Sequence, residues 1–170
     1  MSKQLECEVL TFDHPRIFVG IEKQMNDVSM FQEAKKLANT YGKVKGDLKH
    51  LVTPVHTAVI TFAKNEHQDY VYFMGDEVTK AEKLKQPLVT HTIPKGTLVA
   101  RISIPVGSQL TLSYKVADIR KQFYTSWLKE HGYVSHEYME DMELYHYRRR
   151  RLRKALKMVM ELYFFIEKAS

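Results

Sequence analysis

Between residues 5 and 12, Glu6 and Glu8 alternate with Cys7 and Val9, the two-residue period of a strand that buries one face. Residues 17–21, rich in β-branched and aromatic side chains, predict a second strand, reached through the turn Asp13-His14-Pro15. At Ser29 the period changes. Met30, Phe31, Ala34, Leu37, Ala38 and Tyr41 recur at helical spacing, with Ser29 as N-cap and Gly42 or Gly46 as stop. Strand character returns over 56–63 and 69–79, on either side of the polar Lys64-Asn65-Glu66-His67-Gln68, the layout of a hairpin.

A polar linker over 80–86, followed by Pro87, separates this half from a second one. There Pro94-Lys95-Gly96 supplies a turn and 97–104 alternates as a strand. Val116, Ile119, Phe123, Trp127 and Leu128 form the apolar stripe of a strong helix, started by Ser113 or Thr111 and ended by Gly132. Residues 138–147 and 158–168 predict the last two strands. The first half thus runs β, β, α, β, β and the second β, α, β, β. The predicted class is α+β: one domain over 1–170 built of duplicated β-α-β-β units, with halves at about 1–80 and 90–170 and no residue-level repeat between them. Two helices and about eight strands imply an antiparallel sheet with both helices on one face, leaving the concave face for a ligand pocket.

Composition supports an ordinary globular chain. At 170 residues, 44% hydrophobic and 27% charged, it can bury a core without a disulfide or a structural metal. No window reaches the ~18 consecutive apolar residues that cross a bilayer. Lys3, Glu6 and Glu8 stand where a signal peptide needs an apolar run, so a cytoplasmic location with no membrane partner is expected. Cys7, the single cysteine, has no partner for an intramolecular disulfide. The net charge of +6 changes meaning once located: seven basic residues in 148–157 leave the rest of the chain at −1. Such a run is a solvated loop or helix face, or else a contact for an acidic partner through Arg148, Arg149, Arg150 and Arg151.

Most chemistry-bearing motifs are missing. None of the seven glycines belongs to a GxGxxG or GxxxxGK[ST] pattern. There is no GxSxG elbow and no HExxH, and the eight histidines are scattered. No zinc finger, RNP-like aromatic motif or helix-turn-helix signature occurs, so no direct DNA binding, metal or cofactor is expected. What remains is aromatic and acidic. Tyr138, Tyr145, Tyr147 and Tyr163 fall on the last two strands with Glu143 and Glu161, and Tyr70, Tyr72 and Phe73 on an earlier one. Residues two apart share a face, which groups Glu143 with Tyr145, and Glu161 with Tyr163 and Phe165. A carboxylate among aromatic rings attracts a desolvated organic cation. The alternative is that these tyrosines are strand formers packing a core and the glutamates are exposed.

Five segments carry a family resemblance: Tyr72-Phe73-Met74-Gly75-Asp76-Glu77-Val78; Ile93-Pro94-Lys95-Gly96-Thr97-Leu98-Val99-Ala100; Phe123-Tyr124-Thr125-Ser126-Trp127-Leu128 with Gly132-Tyr133; Met142-Glu143-Leu144-Tyr145; and Met160-Glu161-Leu162-Tyr163-Phe164-Phe165-Ile166. In order and spacing across nearly the whole chain they resemble the GyrI-like family, whose fold is shared with effector domains of AraC-type and MerR-type multidrug regulators. The resemblance implies a duplicated β-α-β-β fold with a ligand pocket between the halves. It makes Glu143 the pocket carboxylate, followed by Tyr145, with Tyr163, Trp127 and Tyr72 as further lining residues. Trp127 as a core anchor of its helix is the competing role. The chain departs from the family pattern at Phe165, where proline is usual, and in the basic connection after Tyr147.

Three functions fit these residues. The first is a stand-alone module that senses or sequesters lipophilic cationic or aromatic drugs at Glu143. The second is hydrolysis of strained or electrophilic small molecules, which the resemblance also implies, with Glu143 transferring the proton and Tyr145 or Tyr163 orienting substrate or water. The third is an interaction role for the basic segment. The small organic ligand ranks first.

Overall fold

The computed structural model describes residues 4–52, 56–105, 109–148 and 157–170. Most of the basic run, 149–156, lies outside the described residues, and with it the proposed contact of Arg149, Arg150 and Arg151. Arg148 closes a strand.

Nine strands form among the described residues: β1 (Glu8–Thr11), β2 (Arg16–Met25), β3 (His56–Phe62), β4 (Tyr70–Val78), β5 (Val89–Ile93), β6 (Leu98–Pro105), β7 (Tyr133–Ser135), β8 (Met139–Arg148) and β9 (Lys157–Lys168). Helix α1 is Met30–Val44, and α2 is Gln109–Gln122, continued by a π-helical turn Phe123–Trp127 and a last turn Leu128–Glu130. The expected strands and helices are present within a few residues. The short β5 and β7 are additions that polar residues conceal: Thr90, His91 and Thr92 make β5 look like linker, yet its alternation fits a strand at the sheet edge. With β5 and β7, the chain after residue 88 reads ββαβββ, against ββαββ before it.

All pairings are antiparallel, in the order β1-β6-β9-β8-β3-β4-β2-β5, with β7 beside β9. Each half donates its first strand to the other: β1 pairs with β6, and β5 with β2. This order forces curvature. Six strand spacings separate β1 from β2, about 29 Å across a flat sheet, whereas the five steps from Thr11 to Arg16 span at most about 18 Å. The same mismatch holds from Ile93 to Leu98, so the sheet curls until its edges approach. Arg16 on β2 accordingly stands 5.7 Å from the ring centre of Tyr163 on β9, four strands away.

The inside of the curl is filled. Phe18, Ala58, Ile60, Phe73, Val99, Met142, Leu144, Tyr163 and Phe165 pack there with Phe12 and Ile93 from the two edges. Gly75 makes room for this core, since a Cβ there would meet the Phe73 ring at 2.5 Å. The outer face carries both helices. Leu37 and Tyr41 of α1 pack on Ile21 with Tyr72 and Met74, whereas Leu112, Val116, Phe123 and Trp127 of the second helix pack on Ala100, Ile104, Leu162, Phe164 and Ile166. Ser29 stands at the N-cap position before α1 but makes no side-chain capping hydrogen bond; the turn ahead of the helix is held instead by Asn26 Oδ1, which accepts the Val28 and Ser29 amides at 3.1 and 3.0 Å. The helix runs through Gly42 without stopping. Gly132, at φ +74, ends the second helix as its sequence position requires.

Candidate functional site

The middle strands β3 and β8 lie in the gap between the two helices. Pairing Val59 with Glu143 and Thr61 with Asp141 fixes which β8 side chains point outward: Asp141, Glu143 and Tyr145, on the helix-bearing face. A pocket around Glu143 therefore opens between the helices, and the concave face that the sequence suggested for it is occupied by core.

Helix α2 contributes the decisive side chain. Arg120 lies in the row Val116, Arg120, Phe123, Trp127 that faces the sheet, and its guanidinium reaches the β8 acids. Nε and Nη2 donate to the two oxygens of Asp141 at 3.0 and 2.8 Å. Nη2 also donates to Glu143 Oε1 at 2.9 Å, and the Tyr145 hydroxyl donates to Glu143 Oε2 at 2.5 Å. Around this cluster a cavity of about 230 Å³ is lined by Tyr70 and Tyr72 of β4, Thr61, Glu140, and Asp27 and Met30 at the start of α1, with Lys64 at the rim. Lys64 is engaged with Asp27 at 2.7 Å.

The lining holds four carboxyl groups, Asp27, Glu140, Asp141 and Glu143, against two bases, Lys64 and Arg120. Burial raises the Asp141 pKa above the ordinary carboxylate value, against the pull of Arg120. Burial also raises Glu140, and Asp141 adds to it. For Arg120, burial works against the charge, but Asp141 and Glu143 outweigh it and hold the guanidinium protonated. Burial, reinforced by Glu143, keeps Tyr72 and Tyr145 as neutral phenols well above their usual range. The arrangement is an aromatic-walled cleft with surplus acid, suited to a positively charged organic group. Among the described residues no group of three or more His, Cys, Asp or Glu side chains is placed to hold a metal ion.

The five sequence-predicted residues separate into three places. Glu143, Tyr145 and Tyr72 come together in or beside the cleft. Tyr163 lies on the opposite face, because Met142 pairs with Tyr163 and Glu143 with Leu162. Its hydroxyl donates to Glu161 at 2.6 Å. Trp127 is buried, stacked against Phe123, His131 and Tyr133 at 5.0, 4.3 and 5.8 Å, as an anchor of its helix. The sequence reading missed Arg120, Asp141, Glu140, Asp27 and Lys64. Two of these carry a signal: Arg120 interrupts an apolar stripe at helical spacing, and Asp141 stands two residues before Glu143 on the same strand face.

The family model of Cass2, the integron-associated effector binding protein, matches residues 16–166. The chain belongs to this family. Effector binding, the holding of a small molecule, is thus the function class to which this Cass2-family chain is assigned. Solved structures agree in fold. An integron cassette protein from the mobile metagenome of Vibrio cholerae superposes with a TM-score of 0.66 at 7% identity, covering 95% of both chains. SAV2435, solved with tetraphenylphosphonium bound, gives a TM-score of 0.64 at 10% identity, covering 96% of this chain and 94% of that one. EcmrR in complex with DNA in its RPo assembly gives 0.61 at 15% identity over 96% of this chain, which spans 58% of the EcmrR chain. No curated protein sequence matches the chain. Among the described residues of this Cass2-family chain, no helix is long and apolar enough to cross a membrane.

Proposed function

We propose that the protein binds lipophilic aromatic cations in the cleft over Glu143, as a module for sensing or sequestering them. The observation that carries this is the excess of acid over base in a tyrosine-walled cavity between the two helices. Glu143, held by the Tyr145 hydroxyl, supplies the charge, and Tyr70 and Tyr72 supply polarisable walls that accept varied shapes because stacking demands little hydrogen-bond geometry. That SAV2435, a protein of the same fold, was solved with tetraphenylphosphonium supports the choice of ligand class.

Calorimetric titration with tetraphenylphosphonium tests this on wild type and Glu143→Gln side by side. Saturable binding by wild type, weakened about 30-fold in the variant, is expected, since a partly desolvated charge contact is worth about 2 kcal/mol. Equal affinities, or no binding by the folded wild type, would dispose of the assignment.

A further inference from the structure

The cleft already contains a cation. Arg120 is fastened to Asp141 through two N–H groups that match the two carboxylate oxygens, the paired geometry in which guanidinium and carboxylate hold each other most firmly. Toward Glu143 it extends one N–H only, from the same Nη2 that also serves Asp141. The carboxylates differ in access as well: the Asp141 side chain is 3% exposed and that of Glu143 16%. The Arg120–Asp141 pair is thus the fixed one, and the Arg120–Glu143 contact is the single bond that an incoming cation can take over.

From this geometry we infer that Asp141 sets the cation affinity of the site by withholding Arg120 from Glu143. This rests on the assignment of a cation site at Glu143 and adds a specificity-determining pair to it. Arg120 is an internal competitor for Glu143, and Asp141 restrains it. With Asp141 neutral, the guanidinium turns wholly to Glu143 and cancels its charge. With both neutral, Glu143 faces the ligand with no competitor. Apparent affinity follows the fraction of protein in which Glu143 is open to the ligand. Affinity therefore changes in opposite directions for the single and the double substitution, which neither net charge alone nor a purely structural role produces.

The test is calorimetric titration with tetraphenylphosphonium of wild type, Asp141→Asn and the double variant Arg120→Gln/Asp141→Asn, with Glu143→Gln as site control and circular dichroism to verify folding. Asp141→Asn is expected to bind about tenfold more weakly than wild type, and the double variant a few-fold more tightly than wild type. An Asp141→Asn protein that binds as wild type does, or a double variant no tighter than Asp141→Asn, overturns the inference. A double variant that only equals wild type shows that net charge alone decides, which also overturns it.

A measurement on wild type does not depend on the variants folding. The Arg120 Nε–H, which donates to Asp141, stays protected from solvent exchange by NMR as the cation is titrated in; loss of that protection means that the guanidinium leaves Asp141, contrary to the inference. If wild type binds no cation, the Glu143 assignment falls and this inference with it. If Glu143→Gln abolishes binding and the other variants break the predicted order, only this inference falls.

Discussion

The tetrapeptide Met-Glu-Leu-Tyr occurs twice, as residues 142–145 on β8 and 160–163 on the neighbouring β9, and the two copies meet different surroundings. In each, the tyrosine hydroxyl donates to the glutamate two residues before it, at 2.5 and 2.6 Å. Exposure does not separate them, for the Glu143 and Glu161 side chains are 16% and 18% exposed. The register does. Because Glu143 lies opposite Leu162, one copy faces the gap between the helices and the other the inside of the curled sheet. On the inner face Tyr163 lies under Arg16, itself paired to Glu77 through both carboxylate oxygens, and Arg101 extends to both Glu8 and Glu161. On the outer face one arginine serves two acids beside an open cavity. The inner copy is part of what holds the sheet closed; the outer copy is left with charge to spare.

The strongest way to break this division is at the inner pair. Arg16→Ala leaves Glu77 buried without its guanidinium and removes a cation from over Phe12, Phe18 and Tyr163. Urea unfolding should show a loss of about 3 kcal/mol, while the folded fraction binds tetraphenylphosphonium within about twofold of wild type. A larger change in affinity would mean that the two faces are not separate in function. Next comes the pair of glutamates. Against the about 30-fold loss expected for Glu143→Gln, Glu161→Gln should leave cation affinity within about twofold; equal losses in both would erase the distinction drawn from register.

A smaller effect is expected from pH. Asp141 and Glu140 take up protons above the ordinary carboxylate range, and each proton removes negative charge from the cleft. Affinity for a permanently charged cation should fall about tenfold as the pH is lowered through that window, as it does on neutralising Asp141 by substitution. The stability contribution of the same two groups has the opposite sign. Their folded-state pKa values lie above the unfolded ones, so the folded state binds these protons more tightly, and their contribution grows on acidification and is lost as pH rises through the folded values. Titrations paired with thermal melts across that window check both signs, and affinity that does not change with pH would remove Asp141 and Glu140 from the site's electrostatics.

Much of the fold is legible along the chain because its elements announce themselves locally: two-residue alternation in β1 and β6, β-rich runs bounded by polar turns at β3, β4, β8 and β9, and the stripe of the second helix. The pairing of Glu143 with Tyr145 is legible for the same reason. Which face that pair occupies is not, since a strand pattern fixes that side chains alternate but not the parity of its register with a neighbour, and a shift of one residue exchanges the faces. That is why Tyr163, alike in local sequence to Tyr145, falls on the other side. Arg120 was hidden differently. A lone charge in an apolar stripe has meaning only when the strand opposite is known to present acids, and helix and strand meet through tertiary packing alone.

The exchange of β1 and β5 between the halves governs how such a chain can reach its native state. Glu8 waits for Arg101, and Arg16 for Ile93, before either end of the sheet is complete. No half can close by itself: beyond the β3–β4 and β8–β9 hairpins, the pairings join strands far apart in sequence. Folding is then expected on the slow side for a domain of this size, with loop-closure entropy spent before pairing returns it. A nascent chain released before β6 and β9 are available would carry unpaired strand edges, the surfaces most prone to join with other chains.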